Sequence, residues 1–148
     1  MNDSTARKLH KFMAHLDKVT DKMVKKELGI SYHRAVFLIT LLHDGKSSQH
    51  DLAVSLGYSD PAVSSLLIEL TKEKLVISVP DPSHGRKRIV SLTDEGKSTA
   101  KKIEKYLNGS FDRLVHFAGI DEKVYAEATD RLMKTLLNYE EKKLNNTS

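Results

Sequence analysis

Arg86, Lys87 and Arg88 stand side by side in the stretch VPDPSHGRKRIVSLTDEG, Val79 to Gly96. Three adjacent cations repel one another and gain nothing from a protein core. A polyanion offsets that cost, because each phosphate neutralised by Lys or Arg releases condensed counterion. The surrounding charge is uneven. From Thr71 to Lys105 nine cations stand against five acids, whereas Asp44 to Leu70 hold one cation, Lys46, against four acids. A second group of residues precedes the cations, in DPAVSSLLIELTK. If Val63, Leu66, Leu67 and Leu70 turn inward at helical spacing, Ala62, Ser64, Ser65, Ile68 and Lys72 are left on or beside the outward face. Serine bonds donors or acceptors on base edges, and Ala or Ile touches thymine methyls. The arginine fork to guanine is missing from this face.

Other chemistry finds little support. The chain has no cysteine, so disulfides, thiolate sensing and Cys-ligated zinc are excluded. Seven histidines raise a metal site, but His10 and His15 are five apart, His43 and His50 straddle a loop, and His-Glu-x-x-His does not occur. No nucleophile elbow, phosphate-cradling Gly loop or usefully spaced carboxylate pair appears, so neither catalysis nor a cofactor is expected. The 148 residues carry a formal net charge of +4, which is compatible with nucleic acid but does not by itself require it. No apolar run reaches the roughly 18 residues of a membrane span and the N-terminus lacks a signal-peptide core, which makes a cytoplasmic protein the expectation.

The elements that must position these groups follow from periodicity and punctuation. Ser4 to Leu28 places Leu9, Phe12, Met13, Leu16, Val19, Met23 and Val24 on one helical face, and Gly29 ends it. Ser31 caps a second helix with Ala35, Val36, Ile39 and Leu42 as the buried stripe, widened by Phe37 and Leu38, and Asp44-Gly45-Lys46 breaks it. Ser48 with Asp51 is a capping box for a short helix carrying Leu52, Ala53 and Leu56, stopped by Gly57. Ser59 or Asp60 caps the next helix, with Pro61 in its first turn. Two short helices joined by a tight Gly-containing turn form a helix-turn-helix. Val76 to Val79 and Lys87 to Leu92 predict a two-stranded hairpin with the cations at its tip. Thr93 caps a long helix with Ile103, Leu107, Leu114 and Phe117 inward, and Asn108-Gly109-Ser110 predicts a bend or a break in it. Asp121 caps the last helix, whose apolar face is Val124, Ala128, Leu132 and Leu136, with fraying expected from Asn145 to Ser148.

The fold class is therefore mainly α with a small β-hairpin wing, a winged helix-turn-helix flanked by helices. Residues 1–30 are expected to form an N-terminal dimerisation helix, 31–95 the winged helix-turn-helix and 96–148 the C-terminal dimerisation helices. The outer helices are too apolar to stand alone and must pack on one another or on a second subunit.

The run LVISVPDPSHGRKRIVSLTDEG resembles the wing signature of the MarR family of transcriptional regulators. Asp81, Pro82, Arg86, Val90, Leu92, Thr93 and Gly96 match it in register, and DLAVSLGYSDPAVSSLLIEL resembles the family's helix-turn-helix. The resemblance implies a homodimer built through the first and last two helices, set on a pseudo-palindromic double-stranded DNA operator and relieved by a small effector. It implies Arg86 in the minor groove; from the residues themselves, Ser48, Ser59, Ala62, Ser64, Ser65, Ile68, Lys72, His84, Lys87 and Arg88 are further DNA-binding candidates. His33 and Arg34 are candidates to line a pocket for a small anionic or phenolic effector. A repressor is the expected role; a winged helix that binds only protein is the alternative, supported by the acidic helix-turn-helix and opposed by the wing. Three residues depart from the pattern: His84 stands where an Asp often braces the wing arginine, Ser65 where many members have Arg, and Lys74 where Gly is common.

Overall fold

The computed structural model describes residues 4–145, with side chains through residue 140. Residues 146–148, part of the segment expected to fray, lie outside the described residues. Six helices and three strands follow in the order α1 (Thr5–Leu28), α2 (Tyr32–Asp44), β1 (Ser47–Ser48), α3 (Gln49–Leu56), α4 (Asp60–Lys72), β2 (Val76–Asp81), β3 (His84–Leu92), α5 (Asp94–Phe117) and α6 (Glu122–Asn145). Contacts gather into two compact units, one running through Lys105 and the other from Tyr106, so the division falls inside α5.

In the first unit the core joins α2, α3, α4 and the sheet. Phe37, Leu38, Leu41, Leu52, Leu70, Val63, Val76, Val90 and Ile103 are almost wholly buried, each worth roughly 1.5–3 kcal/mol in removed apolar surface. The buried stripe of α2 is Ala35, Phe37, Leu38 and Leu41, while Val36, Ile39 and Leu42 are half-buried. The expected stripe was thus rotated, because α2 is covered on more than one side and its apolar residues leave its register ambiguous. In α3 Leu52 and Ala53 are buried and Leu56 is half-buried; in α4 Val63, Leu67 and Leu70 are buried and Leu66 is half-buried.

Local capping chemistry sets most of the boundaries. Ser4 accepts from Arg7 N at the start of α1, and Gly29 at φ +67° ends it. Ser31 occupies the N-cap position of α2 but makes no side-chain cap bond. Asp21, on α1, does that work: its Oδ1 accepts from Tyr32 N at 3.0 Å. Hydrogen bonds from Lys25 and from the Tyr32 backbone hold the Asp21 carboxyl below its ordinary range.

The sheet has three strands rather than two, in the order β1-β3-β2. Ser47 and Ser48 pair with Val90 and Ile89, which staples the start of α3 to the wing. Thr93 heads α5, its Oγ1 accepting from Gly96 N at 2.9 Å. The same hydroxyl donates to Lys74 O at 2.7 Å, and Thr93 N donates to Leu75 O at 3.1 Å. Gly96 fits here because a Cβ would lie 1.9 Å from Leu75 O.

In α5 Ala100 and Ile103 are buried and Leu107 is half-buried. Of the expected bend or break at Asn108-Gly109-Ser110, the break does not occur: the helix runs on through them. One glycine costs about 1 kcal/mol in a helix interior, too little to interrupt a helix of this length. In the second unit Val115 is buried, the rings of Phe111 and Tyr125 meet at 5.4 Å, and Asp121 Oδ1 accepts from Val124 N to start α6. Leu114 and Phe117, expected inward, are exposed, as are Val124, Leu132 and Leu136 of the α6 stripe. On α1 only Val24 is buried, and Leu9, Phe12, Met13 and Val19 are exposed. These faces have the periodicity of buried helices, yet their side chains are exposed.

Candidate nucleic-acid interface

Three pieces converge: the start of α3, the outward face of α4 and the wing. At α3 the Ser48 hydroxyl accepts from Asp51 N at 3.1 Å and donates to Asp51 Oδ2 at 2.6 Å. That donation, with the positive charge of Lys87 as a smaller contribution, keeps the Asp51 carboxyl below its ordinary range. Ser48 itself is buried, so its part is to fix the helix. Gly57, at φ +65°, ends α3 with Tyr58 N donating to Ala53 O.

Of the two candidate caps for α4, Ser59 takes the place, accepting from Ala62 N at 3.4 Å. Ala62, Ser65, Ile68 and Lys72 are exposed and Ser64 is half-buried. Ser65, however, turns its hydroxyl back to donate to Pro61 O at 3.1 Å. Three of the serines singled out by sequence thus already use their hydroxyls within the fold. The helix closes on Lys74 at φ +60°, the one non-glycine residue with positive φ among those described, with Lys74 N donating to Thr71 O and Leu75 N to Leu70 O. The position where the family commonly has Gly is indeed left-handed, and lysine bears the strain there.

The wing does not carry all three cations at its tip. Its turn is Pro82-Ser83, where Asp81 Oδ1 accepts from Ser83 N at 2.8 Å. The ladder pairs Asp81 with His84 and then Pro80 with Arg88. Gly85, Arg86 and Lys87 have no partner on β2 and bulge out of the ladder. Arg86, Lys87 and His84 are exposed. Arg88 is held down: its Nε donates to Ser78 Oγ at 2.9 Å and its Nη2 to Ser78 O at 2.5 Å. Two cations therefore face outward and the third ties the two strands together.

Residues that the sequence did not single out for DNA complete the surface. Gln49, His50 and Asp60 join Ser48, Arg86, Lys87 and Arg88 around a hollow of about 310 Å³. Thr71 and Ser78 join Gln49, Ser64, Ile68, Lys72 and Arg88 around a second hollow between α4 and the wing. The missing signal was β1, whose two residues are too short for any periodicity yet bring the first turn of α3 against the wing.

His33 and Arg34, adjacent in sequence, enter different hollows. His33 packs against Tyr58, ring centroids 5.7 Å apart, beside Ser59, Ala62 and Leu66. Burial raises the Tyr58 hydroxyl above its ordinary value. Arg34 pairs with Glu73 and lies 4.0 Å from Glu69, joining α2 to the end of α4, and its Nε is buried without a hydrogen-bond partner. The two do not form one pocket. Among the described residues no three His, Asp or Glu side chains gather as a metal site, and no helix is long and apolar enough to cross a membrane.

Residues 28–87, which span α2 to the bulge of the wing, match the model of the MarR family. That segment is similar to the MarR family. A likeness of fold extends beyond it. MepR of S. aureus in complex with DNA is similar over 93% of this chain and 99% of its own, with a TM-score of 0.74 at 23% identity. A mutant MarR from E. coli is similar over 92% and 98%, with a TM-score of 0.76 at 17% identity. PcaV from Streptomyces coelicolor, solved with its natural ligand, covers 92% and 96%, with a TM-score of 0.73 at 15% identity. At these identities the likeness is one of fold: mainly helical, with a small antiparallel sheet as the wing. No curated protein sequence matches the chain. MepR, BldR from Sulfolobus solfataricus and PcaV are each named as transcription regulators.

Proposed function

We propose that this MarR-type chain is a sequence-specific, double-stranded DNA-binding transcription regulator that acts as a homodimeric repressor. The observation that carries the reading is the wing bulge, which turns Arg86 and Lys87 outward beside the exposed Ala62, Ile68 and Lys72 of α4. An outward pair of cations next to a helix sized for the major groove suits a duplex: α4 reads bases, and the wing reaches phosphates and the minor groove. A partner made only of protein gives those cations no comparable reward. The cytoplasm, where the DNA stands, is the expected location.

The operator is an A·T-rich pseudo-palindrome with half-sites about one helical turn apart. Ala62 and Ile68 favour thymine methyls, and Arg86 favours the narrow minor groove of A·T tracts. A small anionic or phenolic effector shifts the dimer toward a half-site spacing that no longer fits. The hollow beside His33 and Tyr58 suits a phenolic ring better than the one holding Arg34, whose guanidinium is already engaged by Glu73. The deciding experiment is binding of the full chain to duplex DNA across a salt series. Log affinity should fall linearly with log salt, and binding that ignores salt overturns the reading.

A further inference from the structure

The first turn of α4 carries one acidic side chain, Asp60. Ser48 and Ser65 donate their hydroxyl protons within the fold and Ser59 accepts from Ala62 N, and Pro61 and Ala62 have no polar side-chain atom. Asp60, the first residue of α4, is exposed. It lines the same hollow as Arg86 and Lys87, and His50 Nδ1 lies 3.5 Å from its Oδ1. A carboxylate brought up to a duplex is repelled by phosphates, so it lowers affinity unless a base donates to it. Neighbouring Arg86 and Lys87 offset part of that repulsion and keep the group at the interface.

The major groove offers two exocyclic amino donors, cytosine N4 and adenine N6. Beside its amino group adenine presents N7, an acceptor that repels a carboxylate. Cytosine presents N4 with no acceptor on the same base edge. We propose that Asp60 is a specificity-determining residue that selects a cytosine in each half-site by accepting a hydrogen bond from its amino group. The proposal rests on the DNA-binding reading given above and adds to it. The A·T-rich half-site carries one C·G pair at a fixed position under the N-terminal end of α4.

The test is selection of bound sequences from a random duplex pool with the full chain, Asp60→Ala and Asp60→Asn. The unaltered chain should prefer cytosine at one position per half-site by roughly tenfold. Asp60→Ala should lose that preference, binding duplexes that lack the cytosine more tightly than the unaltered chain does and the cytosine-bearing site less tightly. Asp60→Asn should move the preference to adenine, because Asn bonds both N6 and N7. A role confined to stabilising the helix terminus lowers the thermal midpoint of both variants and leaves the selected base unchanged. The same base selected by all three proteins overturns the proposal, and so does a consensus for the unaltered chain without the cytosine. If the chain binds no duplex at all, the DNA-binding reading fails and the proposal falls with it.

Discussion

Arg86 and Arg88 are two residues apart in one strand yet have separate tasks. Arg86 stands out of the ladder, whereas Arg88 bonds Ser78 across it. Arg86→Ala should weaken binding to every duplex several-fold and lower the slope of log affinity against log salt by about 1; an unchanged slope in a salt titration removes the wing from the interface. Arg88→Ala should loosen the hairpin first and change the slope less. At Lys74 the left-handed backbone gives a prediction of opposite sign. Lys74→Gly relieves a strain of roughly 1–2 kcal/mol and gives part of it back as lost chain entropy. The expected outcome is a gain of about 1 kcal/mol in denaturant unfolding, and a loss of stability would show that the lysine side chain holds the turn.

At the scale of elements, the joints carry the argument. Gly96→Ala puts a methyl against the Leu75 carbonyl, and backbone cannot step aside as a side-chain end can. Overpacking of this kind costs roughly 1–3 kcal/mol, readable as a lower thermal midpoint together with weaker DNA binding, since α4 ends at that joint. The caps supply a pH dependence. Asp21 and Asp51 have carboxyls held low in the folded chain, so the stability they contribute is present above the ordinary carboxylate value. It is lost as pH falls through the lowered folded values. Unfolding should become easier below about pH 4, and Asp21→Asn should flatten part of that fall. These joints also mark what the sequence could disclose. Caps within a few residues, such as Ser48, Thr93 and Asp121, were legible because their chemistry is local. The cap that Asp21 supplies to α2 comes from another helix, and the bulge that separates Arg86 from Arg88 depends on the register of β2. Neither leaves a local mark. Asn108-Gly109-Ser110 misled for the converse reason: local weakness was plain, and the helix around it outweighed it.

For the whole molecule, the apolar faces of α1 and α6 decide the assembly. Leu9, Phe12, Met13 and Val19 on α1, and Val124, Leu132, Met133, Leu136 and Leu137 on α6, are all exposed in the single chain. Patches on this scale mark interaction surfaces. Sedimentation at low micromolar concentration should report a dimer. Leu136→Glu should shift it toward monomer and weaken operator binding, because two half-sites are then no longer held by one particle. A compact, folded monomer in the unaltered protein would end the dimeric reading.

The wing closes at its own base. Val76 pairs with Leu92, and Thr93 N reaches Leu75 O. Entry and exit of the hairpin therefore lie side by side, with Ser47 and Ser48 of β1 holding β3 near that neck at Val90 and Ile89. Such a segment behaves as a replaceable cassette. Sequence between Ser78 and Arg88 can be lengthened, shortened or exchanged for a hairpin of different charge while the neck, Thr93 and Gly96 keep α4 and α5 in place. A lineage, or an engineer, can thus change the charge that the wing presents without rewriting α4.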